Sequence, residues 1–154
     1  MSSKEKSIGL VGVGRMGANM ARNLKDKGYR LSCVNDVIGE TAAAFANELG
    51  CAHAETLAEV TAASDIILTV VTNDAAMESI FFRDEDNLFA NAREKLFINC
   101  ATLSPDMHVK LEVAAAEIGA ETLEGCMASS ITQAREGTLY LMIGGKRETF
   151  ESVK

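Results

Sequence analysis

Four short apolar runs, rich in Val, Ile and Leu, punctuate the chain at residues 8–13, 31–34, 66–71 and 96–100. Each is continuous rather than alternating, the pattern of strands buried on both faces of a parallel sheet. Segments with helical spacing lie between them. Met16, Met20 and Leu24 recur every fourth residue, and Gly28 is placed to end that helix. Ala42, Phe45, Ala46 and Leu49 form a second stripe closed by Gly50. Thr56 followed by Glu59 reads as a capping box opening a short third helix. Residues 104–118 are the clearest helix: Ser104 caps it, Pro105 suits the first helical position, and Asp106 faces the positive end of the dipole. Met107, Leu111, Ala114, Ala115 and Ile118 mark its buried face, and Gly119 ends it. The stretch 82–91 reads as a solvated acidic loop. Residues 139–143 read as a strand, Gly144-Gly145 as a turn, and 146–154 as the start of a charged helix.

Strand followed by helix, repeated about five times, predicts a doubly wound, mostly parallel α/β sheet with helices on both faces. The 154 residues suit one domain spanning 1–154. An apolar content of 47% excludes disorder, and a net charge of −7 argues against nucleic acid or an anionic membrane as partner. No run has the 18 or more apolar residues of a membrane span, and the polar start MSSKEK lacks the apolar core of a secretory signal. Cys33, Cys51, Cys100 and Cys126 form no Cys-x-x-Cys pair, and three of them sit in or beside apolar runs. They read as reduced thiols of a cytoplasmic protein. No His, Cys and Asp combination has metal-ligand spacing, so no metal is expected. His53 and His108 have no partner visible in the sequence and receive no catalytic role.

The chemistry concentrates in Gly12-Val-Gly14-Arg-Met-Gly17, which follows the first strand and opens the first helix. Gly12 permits the tight turn, Gly14 clears the approach of a pyrophosphate, and Gly17 lets helix and strand pack closely. The helix N-terminus offers N–H groups and partial positive charge to phosphates. Asp36 ends the second strand, 19 residues after Gly17, where a carboxylate bonds an adenosine ribose. It would repel the extra phosphate of NADP, so the expected cofactor is NAD and NADP is the lesser candidate. The fold is thus read as Rossmann-type.

Residues 9–23, GLVGVGRMGANMARN, resemble the N-terminal signature of the β-hydroxyacid dehydrogenase family. That family includes 3-hydroxyisobutyrate, tartronate semialdehyde and 6-phosphogluconate dehydrogenases. The resemblance continues through VNDV at 34–37, the strand 65–71, NCATLSP at 99–105 and GTLYLMIGG at 137–145. It implies that Gly14, Arg15, Met16 and Gly17 line the pyrophosphate and that Asp36 holds the ribose. Val71, Thr72 and Asn73 would lie over the cofactor, with Thr102 toward the nicotinamide. Asn73 could instead cap the helix that follows, and Thr102 could begin the turn into the helix at 104. The family's Leu-Pro is replaced here by Val71-Thr72.

A larger departure lies at 124–130, EGCMASS, where the family has Asp-Ala-Pro-Val-Ser-Gly-Gly. Ala128 takes the serine position, and Ser129 and Ser130 replace the glycines. These two serines are the candidates for binding a substrate carboxylate, against a purely structural loop. The resemblance places the catalytic lysine in an all-helical second domain outside this chain. Lys146 and Lys154 read as solvated, and no catalytic residue is expected within 1–154. The implied activity is hydride transfer between a nicotinamide cofactor and a small hydroxy acid or its semialdehyde or keto form, in a homo-oligomer. Two alternatives stay open: an NADP-dependent reductase of small aldehydes or imines, and a non-catalytic dehydrogenase-like binding module. The charged end at 146–154 carries no stop signal, so the chain reads as a fragment of a longer protein.

Overall fold

A computed structural model describes residues 2–154. Strands and helices alternate as β1 (Ser7–Val11), α1 (Arg15–Asp26), β2 (Arg30–Asn35), α2 (Gly39–Leu49), β3 (Ala52–His53), α3 (Leu57–Ala63) and β4 (Ile66–Thr69). They continue as α4 (Asp74–Phe82), β5 (Leu96–Asn99), α5 (Pro105–Glu117), β6 (Glu121–Met127), α6 (Ile131–Glu136), β7 (Leu141–Gly145) and α7 (Arg147–Glu151). The sheet order is β3-β2-β1-β4-β5-β6-β7. The first six strands are parallel, and β7 returns antiparallel to β6.

The continuous apolar runs are explained by two cores. Ile8 and Leu10 of β1, Ile66 and Leu68 of β4, and Leu96 of β5 pack with Ala18 and Ala21 of α1 and Phe45 and Leu49 of α2. The intervening Val11, Ile67 and Phe97 pack with Leu57 and Val60 of α3, Met77 and Phe81 of α4, and Leu111 of α5. Because side chains alternate along a strand, a run feeding both cores must be apolar throughout. Helix ends follow the sequence signals. Thr56 and Glu59 form the reciprocal capping box of α3, Ser104 accepts the Met107 amide, and Gly28, Gly50 and Gly119 turn with positive φ.

Three expectations are corrected, and one strand was unread. Gly144 and Gly145 are not a turn but the end of β7, paired with Glu124 and Leu123. The strand β6 itself carries no continuous apolar run. Its residues alternate in burial, because it lies next to the edge strand β7. The segment 82–91 is not simply solvated. Leu88 is fully buried, Phe89 packs on Phe81 and Phe97 with ring centroids 4.7 and 5.6 Å apart, and the Asp86 carboxylate accepts the amides of Leu57 and Ala58. Finally, Ile118 is 39% exposed, whereas His108 is buried. Ile118 sits at the C-terminal cap of α5, where the chain already turns away from the helix face.

Candidate functional site

The loops after β1 and β4 leave neighbouring strands whose chain connections diverge, α1 returning toward β2 and α4 toward β5. Crevices at such switch points, beyond the carboxyl ends of the strands, are where open α/β sheets bind ligands. The three glycines of the first loop have different reasons to be there. Gly12 has φ +98°, and a Cβ on it would lie 2.2 Å from the Val70 carbonyl oxygen. A Cβ on Gly17 would lie 2.1 Å from the Gly12 carbonyl oxygen. Both absences of side chain are demanded by the fold. Gly14 differs: its φ is −64°, and among the described residues nothing beyond its own chain neighbours lies within 4 Å of the position a Cβ would take. The fold accepts a side chain there, so the open space is what a ligand would use.

Gly14 is also the N-cap of α1 and supplies no capping side chain. The amides of Arg15, Met16 and Gly17 therefore have no acceptor within the helix and point at the crevice. Free amides at a helix N-terminus make a cradle suited to an anionic group. A cavity of about 390 Å³ brings Gly14, Arg15, Met16, Gly17, Val71, Thr72 and Thr102 together. Val70, Cys100, Ala101 and Met127 also line it, none of them singled out from the sequence. Met127 had no sequence signal, because β6 was not read as a strand. Burial pushes the Cys100 thiol up to about 12, with a smaller contribution from Cys126, so it serves as an apolar wall.

Gly12, Asp36 and Asn73 do not line that cavity. The Asp36 carboxylate accepts the Val13 amide at 2.9 Å and the Ile38 amide at 3.0 Å. These bonds fix its position at the end of β2, beside the glycine turn. Asn73 caps α4, its side-chain oxygen accepting the Ala76 amide at 2.9 Å. Thr102 is exposed in the loop after β5. Both serines of the loop after β6 are in structural use. The Ser129 hydroxyl accepts the Tyr140 amide at 2.8 Å, and the Ser130 hydroxyl caps α6 by accepting the Gln133 amide at 3.3 Å. Each hydroxyl acts here as an acceptor and keeps its proton available to donate. Asn23, within the signature run, donates to the Arg135 carbonyl at 3.1 Å and holds the end of α6 against α1. Lys146 and Lys154 are exposed, as read from the sequence.

His108 does have neighbours that the sequence spacing concealed. Its Nε2 lies 3.8 Å from Glu124 Oε2 and 4.0 Å from Cys126 Sγ, and Cys126 Sγ lies 3.9 Å from Glu124 Oε2. Burial and the adjacent Glu124 carboxylate push the Cys126 thiol above its ordinary range. The three residues come from α5 and β6, brought together only by the packing of the helix on the sheet.

Comparisons with known proteins agree with this geometry. Residues 7–154 match the family model of the NAD binding domain of 6-phosphogluconate dehydrogenase. The chain is 33% identical over 147 residues to 2-hydroxy-3-oxopropionate reductase of Escherichia coli, covering 96% of this chain and 49% of that protein. It is 31% identical over 149 residues to the mitochondrial 3-hydroxyisobutyrate dehydrogenase of Drosophila melanogaster, covering 97% and 45%. A solved structure of Mycobacterium tuberculosis 3-hydroxyisobutyrate dehydrogenase with L-serine superposes with a TM-score of 0.86 at 26% identity, covering 98% of this chain and 49% of that one. The chain spans about half the length of the curated relatives it matches. The glycine turn, the sheet order and the match over nearly the whole chain lead to one assignment: the chain belongs to the family of the NAD binding domain of 6-phosphogluconate dehydrogenase.

Proposed function

We propose that this domain binds NAD in preference to NADP and serves an oxidoreductase acting on a small hydroxy acid or its semialdehyde or keto form. The observation that carries the reading is Gly14. It is the one glycine of the turn that the fold does not require, and it stands where α1 presents its free amides. The preference for NAD rests on Asp36. Two backbone amides hold its carboxylate at the end of β2, and Val37, Ile38 and Gly39 after it offer no cation for a 2′-phosphate.

When bound, the nicotinamide supplies hydride transfer. The residues of this chain bind and orient. The α1 amides take the pyrophosphate, Val71 and Thr72 flank the cofactor, and Thr102 with Met127 border the side where a substrate enters. Ser129 and Ser130, whose hydroxyl protons are free to donate, are assigned to the substrate carboxylate. The relatives' names, a 2-hydroxy-3-oxopropionate reductase and a 3-hydroxyisobutyrate dehydrogenase, support a substrate of three or four carbons carrying a carboxylate. The proton-transfer lysine belongs to the same proposal, in an all-helical second domain, as does assembly into a homo-oligomer.

The test is turnover by the whole protein that carries this domain. NAD reduction is followed with 3-hydroxyisobutyrate, L-serine and related hydroxy acids, and again with NADP. NAD-linked oxidation of one of these acids is expected. Tight NAD binding with no turnover of any of them would favour a binding module, the role that Ala128 in the substrate loop already makes conceivable.

A further inference from the structure

We propose that His108, Glu124 and Cys126 form a binding site for a divalent transition metal of the zinc class. Three donor atoms, one nitrogen, one oxygen and one sulfur, stand at the corners of a nearly equilateral triangle with edges of 3.8, 4.0 and 3.9 Å. The His108–Glu124 separation is too long for a hydrogen bond. The edges of a tetrahedral zinc centre with bonds of about 2.0–2.3 Å are roughly 3.3–3.6 Å. Closing the triangle onto an ion therefore takes a few tenths of an ångström per edge.

The parts able to move and the parts held fixed are well distributed. The His108 side chain is 6% exposed and locked in the packed face of α5, whereas the Glu124 side chain is 39% exposed on β6. Gly144 of β7 lies opposite Glu124, and a Cβ on it would come within 2.9 Å of the Glu124 carboxyl carbon. The missing side chain leaves the carboxylate its place over the strand. A cavity of about 40 Å³, lined by His108, Glu124, Asn99 and Gly144, adjoins the triangle. It has room for about one water, the fourth ligand of an open zinc site.

The chemistry selects the ion. Thiolate and imidazole with one carboxylate suit zinc or cobalt(II), and calcium and magnesium demand oxygen shells. On binding, the metal–sulfur bond forms and the thiol proton passes to solvent. The ion would join α5 to β6 just before residues 128–130. It would fix the substrate loop without touching the glycine turn, so this inference stands independently of the cofactor reading.

Cobalt(II) is the probe. Added to the tag-free 154-residue chain near pH 8.5, where an ordinary thiol ionises, one equivalent is expected to give a thiolate-to-cobalt charge-transfer band and the visible bands of a four-coordinate ion. Zinc should displace it. Cys126→Ser should abolish the charge-transfer band while circular dichroism shows the fold retained. Glu124→Gln, a change on a half-exposed side chain, should weaken binding at least about 10-fold, the least that loss of even a supporting group costs. No band from a folded chain at excess cobalt would overturn the proposal. So would a band that survives Cys126→Ser, or the parent's affinity retained in both Glu124→Gln and His108→Gln.

Discussion

The loop after β1 and the loop after β6 are built in opposite ways. In the first, Gly12 and Gly17 fit the backbone, and Gly14 leaves space that the backbone does not need. In the second, Ser129 and Ser130 serve the fold through the same hydroxyls that the proposed function assigns to a substrate carboxylate. On the proposed function, single substitutions should separate binding from stability in the first loop and not in the second. A site can therefore be recognised most securely where the fold offers no reason for a residue's identity.

The largest expected effects test that division directly. Gly12→Ala combines a positive φ with a backbone clash, and Gly17→Ala drives a Cβ against a carbonyl. Overpacking and backbone strain each cost about 1–3 kcal/mol, so both variants should lose several kcal/mol in urea unfolding, Gly12→Ala the more. Gly14→Ala should stay within about 0.5 kcal/mol of the parent yet bind NADH at least about 10-fold more weakly by fluorescence titration. Equal destabilisation by all three would break the comparison.

Asp36→Ala sharpens it from the residue beside the glycine turn. Two amides lose their acceptor, at a cost of roughly 1–3 kcal/mol, and discrimination between NADH and NADPH should shrink. In the loop after β6, Ser130→Ala removes the α6 cap and should cost about 1 kcal/mol in thermal unfolding; the proposed function adds a raised KM of the whole protein for a hydroxy acid. A change in only one of the two readouts would disentangle what the geometry joins.

The smallest effect is a pH dependence. The Cys100 thiol is raised to about 12 in the fold, above an unfolded value near 8.5. Its contribution is fully present below the unfolded value and is lost as pH rises toward the folded one. Stability should fall by about 1 kcal/mol between pH 8.5 and 9.5 from this group. Cys100→Ala, compared by urea unfolding at several pH values, should flatten that slope.

Legibility from the sequence follows the same contrast. The glycine turn was readable because its residues are consecutive and each has a backbone task. The four central strands were readable because two cores force unbroken apolar runs, and Thr56, Ser104 and Gly50 because capping is local. The strand β6 was not, since its neighbour β7 leaves residues such as Glu121 and Glu124 outside the core and breaks the run. Gly144 and Gly145 looked like a turn because their pairing partners lie about 20 residues earlier. Asp86 capping α3, and His108 meeting Glu124 and Cys126, depend on packing between elements. No spacing along the chain encodes those contacts.

The central claim is that this chain by itself builds a dinucleotide site whose glycine turn takes the pyrophosphate and whose Asp36 selects NAD. Calorimetric titration with NADH and, separately, with NADPH tests it most directly. The account predicts saturable binding of NADH, at least about 10-fold tighter than NADPH, a difference of about 1.4 kcal/mol. Equal binding, tighter binding of NADPH, or no binding of either by the folded chain would contradict it.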